Sequence, residues 1–191
     1  MSARSDPAVR FDELYDRSTD PWRYQSSEYE REKYASTLAA LPEGHISSAL
    51  EIGCSIGVLT EQLAERCERV LAIDFSERAV QLAHGRLDAL ANVELRCASF
   101  PEQAPAGPWR LILCSELLYY LQAPALDRAI TWLAEQMQGG ACVLAVSWRG
   151  EGTHEPFLGD EVHDRLAREF DAWHTLDGRR EGYRLDRFDG R

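Results

Sequence analysis

The chain has 191 residues and a mass of 21.6 kDa, the length of one domain and too short for a multidomain assembly. Hydrophobic residues make up 45% and charged residues 28%, so the chain can bury a core and is not disordered by composition. Against 21 basic side chains stand 32 acidic ones, a net charge of −11, and no segment is basic enough to hold a long nucleic acid.

Of the 21 cationic side chains only Lys33 is a lysine. The five cysteines (Cys54, Cys67, Cys97, Cys114, Cys142) form no Cys-x-x-Cys pair, and four lie in apolar runs, which points to reduced, buried thiols rather than a disulfide scaffold. His45, His84, His154, His163 and His174 lack the spacing of metal ligands, so no metal is expected. The opening MSARSDPAVRFDELYDR carries charge where a secretory leader needs an apolar stretch, and no run approaches the roughly 18–20 apolar residues of a membrane span. A soluble, cytoplasmic protein is expected.

The opening twenty or so residues read as irregular, as does a stretch at about 149–159. Residues 27–41 read as a helix from Glu28 to Leu41, ended by Pro42 and Gly44. Strand 48–52 then leads to a helix at about 57–66, and strand 70–73 to a helix at about 76–90. Strands at 93–97 and 111–114 follow, then an amphipathic helix at about 124–137, stopped by Gly139-Gly140, and a strand at 141–146. A helix at about 160–171 precedes two alternating runs, Ala172–Leu176 and Tyr183–Phe188, with a turn expected around Asp177-Gly178. The pattern is α/β: a Rossmann-like, seven-stranded, mostly parallel sheet with helices on both faces and a C-terminal antiparallel hairpin at one edge.

The segment Ala49-Leu50-Glu51-Ile52-Gly53-Cys54-Ser55-Ile56-Gly57 leaves a strand, turns through glycine and enters a helix. Gly53 lets backbone approach a ligand, and the helix beginning near Gly57 offers free N–H groups. Ser55 departs from the Gly-x-Gly-x-x-Gly of dinucleotide binders, and Glu51 puts a carboxylate where a pyrophosphate would sit, so a cationic cofactor fits better. Asp74 ends the second strand beside this turn and can accept hydrogen bonds from both hydroxyls of a ribose, while Ser76 caps the next helix.

With the turn at 51–57, the acid at 74, Arg96-Cys97-Ala98-Ser99-Phe100, the run Cys114–Leu121 and Gly139-Gly140 in this order, nearly the whole chain resembles the class I S-adenosylmethionine-dependent methyltransferases. The resemblance implies that Glu51, Gly53, Cys54, Ser55 and Gly57 hold the methionine moiety, that Asp74 and Phe75 meet the ribose side, and that Ser99 and Phe100 meet the adenine. Ser115 and Glu116 would line the methyl-transfer cleft. Ser99 stands where that family often has an acid, and Arg110 where it often has Asp. Asp20-Pro21-Trp22-Arg23-Tyr24, Tyr29-Glu30, Lys33-Tyr34, Ser115–Leu121, Trp148-Arg149-Gly150, Gly159–Asp164 and Tyr183–Asp186 narrow the resemblance to the NodS-like nodulation methyltransferases. Those bacterial enzymes N-methylate the free amine of a partly deacetylated chitin oligosaccharide.

On this reading one domain has three parts: residues 1–45, an arm and helix forming a lid, 46–148, the cofactor-binding core, and 149–191, a substrate-side helix and the hairpin. The cofactor is S-adenosylmethionine, leaving as S-adenosylhomocysteine, and the partner is a small amine-bearing acceptor such as an aminosugar. An acceptor amine must be neutral or lose a proton in the site. Glu116 is the first candidate to orient or deprotonate it and His163 the second, because imidazole titrates near neutrality. Tyr120 completes the catalytic set. Tyr119 and Tyr120 wall the cleft, with one of the two expected to face the substrate. Trp22 and Tyr24 close over the cofactor, and Trp148 and Arg149 offer a stacking face and a hydrogen-bonding fork to a sugar. The acidic runs Glu28-Glu30-Glu32 and Asp160-Glu161 read as solvated helix faces. Two alternatives stay open: O-methylation of a sugar or natural product, and a non-catalytic protein with a methyltransferase fold.

Overall fold

A computed structural model of the chain describes residues 7–152 and 155–191, so the first six residues of the expected lid and His154 lie outside the described residues. Four aliphatic runs form the parallel centre of a sheet: β1 (Ala49–Ile52), β2 (Val70–Asp74), β4 (Leu111–Ser115) and β5 (Cys142–Trp148). They are almost wholly buried, as strands covered on both faces must be. With β3 (Val93–Cys97), β6 (His174–Arg179) and β7 (Tyr183–Asp189) the order is β3-β2-β1-β4-β5-β7-β6, β7 running antiparallel between β5 and β6.

Alternate residues of each central strand supply the two cores. Leu50, Ile52, Ile112, Cys114, Val143 and Ala145 pack on α5 (Ala123–Gln138) and α6 (Gly159–Glu169) through Leu126, Ile130, Leu133, Val162 and Leu166. Ala49, Leu111, Leu113, Leu144 and Val146 face α2 (Glu28–Ala39) and α3 (Val58–Ala64), which add Tyr34, Leu59 and Leu63. Next to α3, α4 (Glu77–Leu87) turns Ala79, Val80, Ala83 and Leu87 inward. Gly57 permits that closeness, because a Cβ there would lie 2.7 Å from Leu87 Cδ1. The open edges carry charge: β3 exposes Glu94 and Arg96, and β6 exposes Asp177 and Arg179 beside a register shift at His174/Leu176.

Chain order reverses between β1 and β4, whose flanking neighbours are β2 on one side and β5 on the other. Ligands of open α/β sheets bind in the crevice at the C-terminal ends of strands at such a point.

Two expectations are corrected. The opening residues are not all irregular: Pro7–Arg17 forms α1, whose Phe11, Leu14 and Tyr15 repeat at three and four residues. Its apolar stripe is a single turn long, too short to stand out from the charges around it. The hairpin also turns later than Asp177-Gly178. Gly178 pairs with Leu185 inside the ladder, the turn falls at 180–182, and Asp171–Trp173 is a 3₁₀ turn rather than strand. The Asp-Gly pair misleads because Gly178 answers close backbone packing: a Cβ there would come 2.7 Å from Leu185 O.

Gly178→Ala should therefore destabilise the fold by about 1–3 kcal/mol in urea unfolding, the range for overpacking. Glu181→Ala, in the true turn, should stay within about 0.5 kcal/mol.

Candidate active site

The turn after β1 is built on backbone. Gly53 has φ +87°, and a Cβ there would stand 2.9 Å from Ser115 O at the end of β4, so only glycine lets the two loops meet. Gly57 follows with φ +79° as the N-cap of α3. Between them Ser55 also holds a left-handed conformation (φ +51°) and points its N–H at Asp74.

Two buried carboxylates meet here. Asp74 Oδ2 accepts the N–H of Ser55 and Oδ1 that of Ser76, each at 2.9 Å, which leaves one further acceptor position on each oxygen. Burial, opposed by these bonds, pushes its pKa up to about 6. Glu51 is 1% exposed, and its Oε2 has no well-formed hydrogen bond. Burial pushes its pKa up to about 7, against the Thr60 hydroxyl, which lies close enough to lower it. A buried carboxylate oxygen without a well-formed hydrogen bond, beside a glycine turn, fits the ammonium of an amino-acid moiety, and the two open positions on Asp74 fit a diol.

Helix α1 lies over this turn. Asp12 accepts from Ser76 Oγ and from the Arg78 N–H, Tyr15 bonds Ser55 Oγ, and Arg78 pairs with Asp16. Phe11 packs edge-on against Phe75 and Tyr120 and stacks on Trp22, which in turn contacts Tyr24. Under this arm opens a cavity of about 530 Å³, walled by Phe11, Trp22, Tyr24, Tyr29, Tyr119, Tyr120 and Trp148 and carrying Arg10, Glu30, Lys33, Glu116 and Glu155. A narrower recess at Glu51, Gly53, Cys54, Ser55 and Ser115 shares Tyr24 and Glu116 with it.

Glu116 stands at that junction in a left-handed backbone conformation, φ +54°, unusual for a residue with a long side chain. Lys33 donates to its Oε1 at 2.6 Å, and the Tyr119 hydroxyl and Trp148 N–H donate to its Oε2 at 2.6 and 2.9 Å. Burial and the neighbouring Glu116 hold the Tyr119 phenol well above its ordinary pKa, so it remains a donor.

Of the residues singled out in the sequence, the structure gathers Glu116, Tyr119, Tyr120, Trp22, Tyr24, Trp148, Glu51, Gly53, Cys54, Ser55 and Ser115 on the two cavities. Both tyrosines line the larger one. Asp74 and Phe75 lie beside the turn, under α1.

Four further expected residues line neither cavity. His163 is fully buried on the inner face of α6, its Nδ1 2.9 Å from Asp186 Oδ2, where it docks α6 to β7 and meets neither cavity. Arg149 has its guanidinium on Asp160 and on the carbonyl of Arg180, holding the hairpin turn. Phe100 packs into the core edge-on to Trp132, and Ser99 is exposed with its N–H on Gln103. Glu30 is no solvated acid either: it is 6% exposed and paired with Lys33. Among the described residues, no three His, Cys, Asp or Glu side chains are grouped as a metal site would need. Nor is any helix among them long and apolar enough to cross a membrane.

The model of the family "Nodulation protein S (NodS)" matches residues 12–149. The chain belongs to the NodS family. Nodulation protein S of Sinorhizobium fredii (strain NBRC 101917 / NGR234) is 34% identical over 110 residues, 57% of this chain and 51% of that protein, and Nodulation protein S of Rhizobium tropici is 34% identical over 103 residues. The chain spans about half the length of the curated relatives it matches. The crystal structure of N-methyltransferase NodS from Bradyrhizobium japonicum WM9 with S-adenosyl-L-homocysteine is 25% identical, covers 97% of this chain and 99% of its own, and superposes with a TM-score of 0.79. A chain from Pseudomonas syringae is 35% identical over 85% of this one and 99% of its own, with a TM-score of 0.74.

The carboxylate of Glu51 sets a pH dependence. Its folded pKa is raised above the ordinary 4.5, so the folded state takes up a proton; that stability is fully present below about pH 4.5 and is lost as pH rises through about 7. Glu51→Gln should therefore gain stability over the native chain between pH 5 and pH 8, by an amount on the order of 3 kcal/mol, read from unfolding curves at both pH values.

Proposed function

We propose that this NodS-family chain is an S-adenosylmethionine-dependent N-methyltransferase whose acceptor is a small amine, an aminosugar or a partly deacetylated chitooligosaccharide. The observation that carries the reading is the place of Glu116, a partly buried carboxylate where the glycine-turn recess opens into an aromatic cavity. The cofactor side is supported by Glu51 and Asp74, and by the S-adenosylhomocysteine in complex with the 25% identical relative from Bradyrhizobium japonicum.

When bound, the cofactor supplies a methyl group activated on a sulfonium, which passes to the acceptor nitrogen as the N–C bond forms and the C–S bond breaks. The chain's own residues do the rest. Glu51 receives the amino-acid ammonium, and Asp74 receives two hydroxyls on its open acceptor positions. Gly53 leaves room for the ligand to lie against backbone. The arm, through Phe11, Trp22 and Tyr24, shields the site from water, and Tyr120 and Trp148 give flat faces for a sugar ring. Glu116 accepts a hydrogen bond from the amine, aims its lone pair and takes its proton. The aromatic walls and the surrounding carboxylates favour a positively charged or polarised nitrogen over a neutral hydroxyl.

Labelled cofactor with glucosamine, a partly deacetylated chitooligosaccharide and the fully acetylated oligomer tests the acceptor. Label on nitrogen, absent with the acetylated oligomer, is expected, and label only on oxygen would sink the N-methyl reading. Asp74→Ala should weaken S-adenosylhomocysteine binding by about 1–3 kcal/mol in calorimetry, whereas Glu116→Gln should keep that affinity and lose turnover. An ammonium beside Glu51 lowers its raised pKa, so cofactor binding near pH 6.5 should release protons, seen as a heat that varies with the buffer's ionisation enthalpy.

A further inference from the structure

The chain's only lysine, Lys33, is 2% exposed. With Glu30, Tyr34 and Thr37 it makes the buried face of α2, at the i, i+3, i+4, i+7 spacing that an apolar stripe would normally fill. Its Nζ stands 3.1 and 3.0 Å from the two Glu30 oxygens, 2.6 Å from Glu116 Oε1 and 5.0 Å from the Tyr29 ring centre. Two of the ammonium's three protons go to carboxylates, and its remaining side faces an aromatic ring.

Counting acceptor positions on Glu116 shows what this arrangement leaves. A carboxylate has about four. The Tyr119 hydroxyl and Trp148 N–H use both on Oε2, and Lys33 uses one on Oε1. One position on Oε1 is left, on a side chain that lines both cavities. The residue carrying it is held in a backbone region that long side chains avoid, a strain that surrounding contacts must offset.

We propose that Lys33 is a positioning residue for methyl transfer: its ammonium ties α2 to the loop after β4, holds Glu116 in its left-handed conformation and leaves one lone pair of Oε1 turned to the acceptor amine. The proposal rests on the reading of Glu116 as the amine's partner. Lys33 also offsets one of the two charges on Glu30 and Glu116, so the carboxylates it joins keep one net negative charge beside the acceptor nitrogen. The titratable groups around it are Glu30, Tyr29 and Tyr34 on α2, Glu116 and Tyr119 on the loop after β4, and Tyr24 on the arm, with Arg10 and Glu155 across the cavity. Burial alone would lower the ammonium's pKa, but Glu116 and Glu30 outweigh it and keep Lys33 charged.

The full chain and two variants test this. Lys33→Met should cut kcat about 10²-fold, the lower scale of a positioned proton acceptor, while S-adenosylhomocysteine affinity stays within about twofold. With the cation gone, the carboxylate pair holds a proton to higher pH, so the acidic limb of the rate profile should move up by about 1–3 pH units. Lys33→Arg should return that limb toward its native position. A native-like pH profile in Lys33→Met, or a rate loss that follows unfolding alone, would overturn the proposal and leave the N-methyltransferase reading intact. If the native chain methylates no amine, both fall. Should Lys33→Met not fold, carbon-13 lysine labelling decides in the native chain, where the side chain gives a single signal. Glucosamine added with S-adenosylhomocysteine should shift that signal, and no shift at saturating glucosamine would overturn the proposal.

Discussion

Four carboxylates, Glu30, Glu51, Asp74 and Glu116, converge near the C-terminal ends of β1, β2 and β4, where little water reaches them. Unpaired charge is costly in such a place, so each must find a donor or a proton. The chain answers them unequally. Lys33 serves Glu30 and Glu116, and backbone N–H groups serve Asp74 in part, but one oxygen of Glu51 has no well-formed hydrogen bond. Much of the local architecture follows from this imbalance. Left-handed Ser55 aims its N–H at Asp74, left-handed Glu116 carries its carboxylate to Lys33, and the arm covers the turn at Ser55.

The arm is a structural partner of the core and not an appendage to it. Its fastening is polar through Asp12 and Tyr15 and aromatic through Phe11, Trp22 and Tyr24. On the opposite flank, α2 is stitched to the hairpin by the Tyr29 and Tyr183 hydroxyls and by Arg187, which reaches the carbonyl of Ala40. The larger cavity therefore has walls from the arm and α2 over residues that follow β4 and β5.

The central sheet could be read from the sequence because buried parallel strands are uninterrupted aliphatic runs and because Gly53, Gly57, Asp74 and Ser76 mark the two turns that matter. What escaped the reading had a physical reason in each case. The buried face of α2 is charged, so its periodicity carried no apolar signal. The sequence does show Glu30 and Lys33 three residues apart and no other lysine, but nothing in it brings them to Glu116, 83 positions beyond Lys33. His163 has the chemistry of a base, yet its place on the inner face of α6 makes it a docking group. Arg149 and Phe100 likewise have the right chemistry near the right loops, and their directions are set by Asp160 and Trp132.

The position of β7 reaches beyond the site. This strand lies between β5 and β6, and β6 pairs with nothing else, so β6 cannot join the sheet until the strand after it has docked. β7 also carries Arg184 and Asp186 into the interior, where their partners are each other, Asp164 and His163 of α6, and Asp177 and His174 of β6. Neither charge can be desolvated alone without a large penalty. Helix α6 and the two strands are thereby coupled through shared buried charges, so loss of any one of the three leaves the others with an unpaired partner.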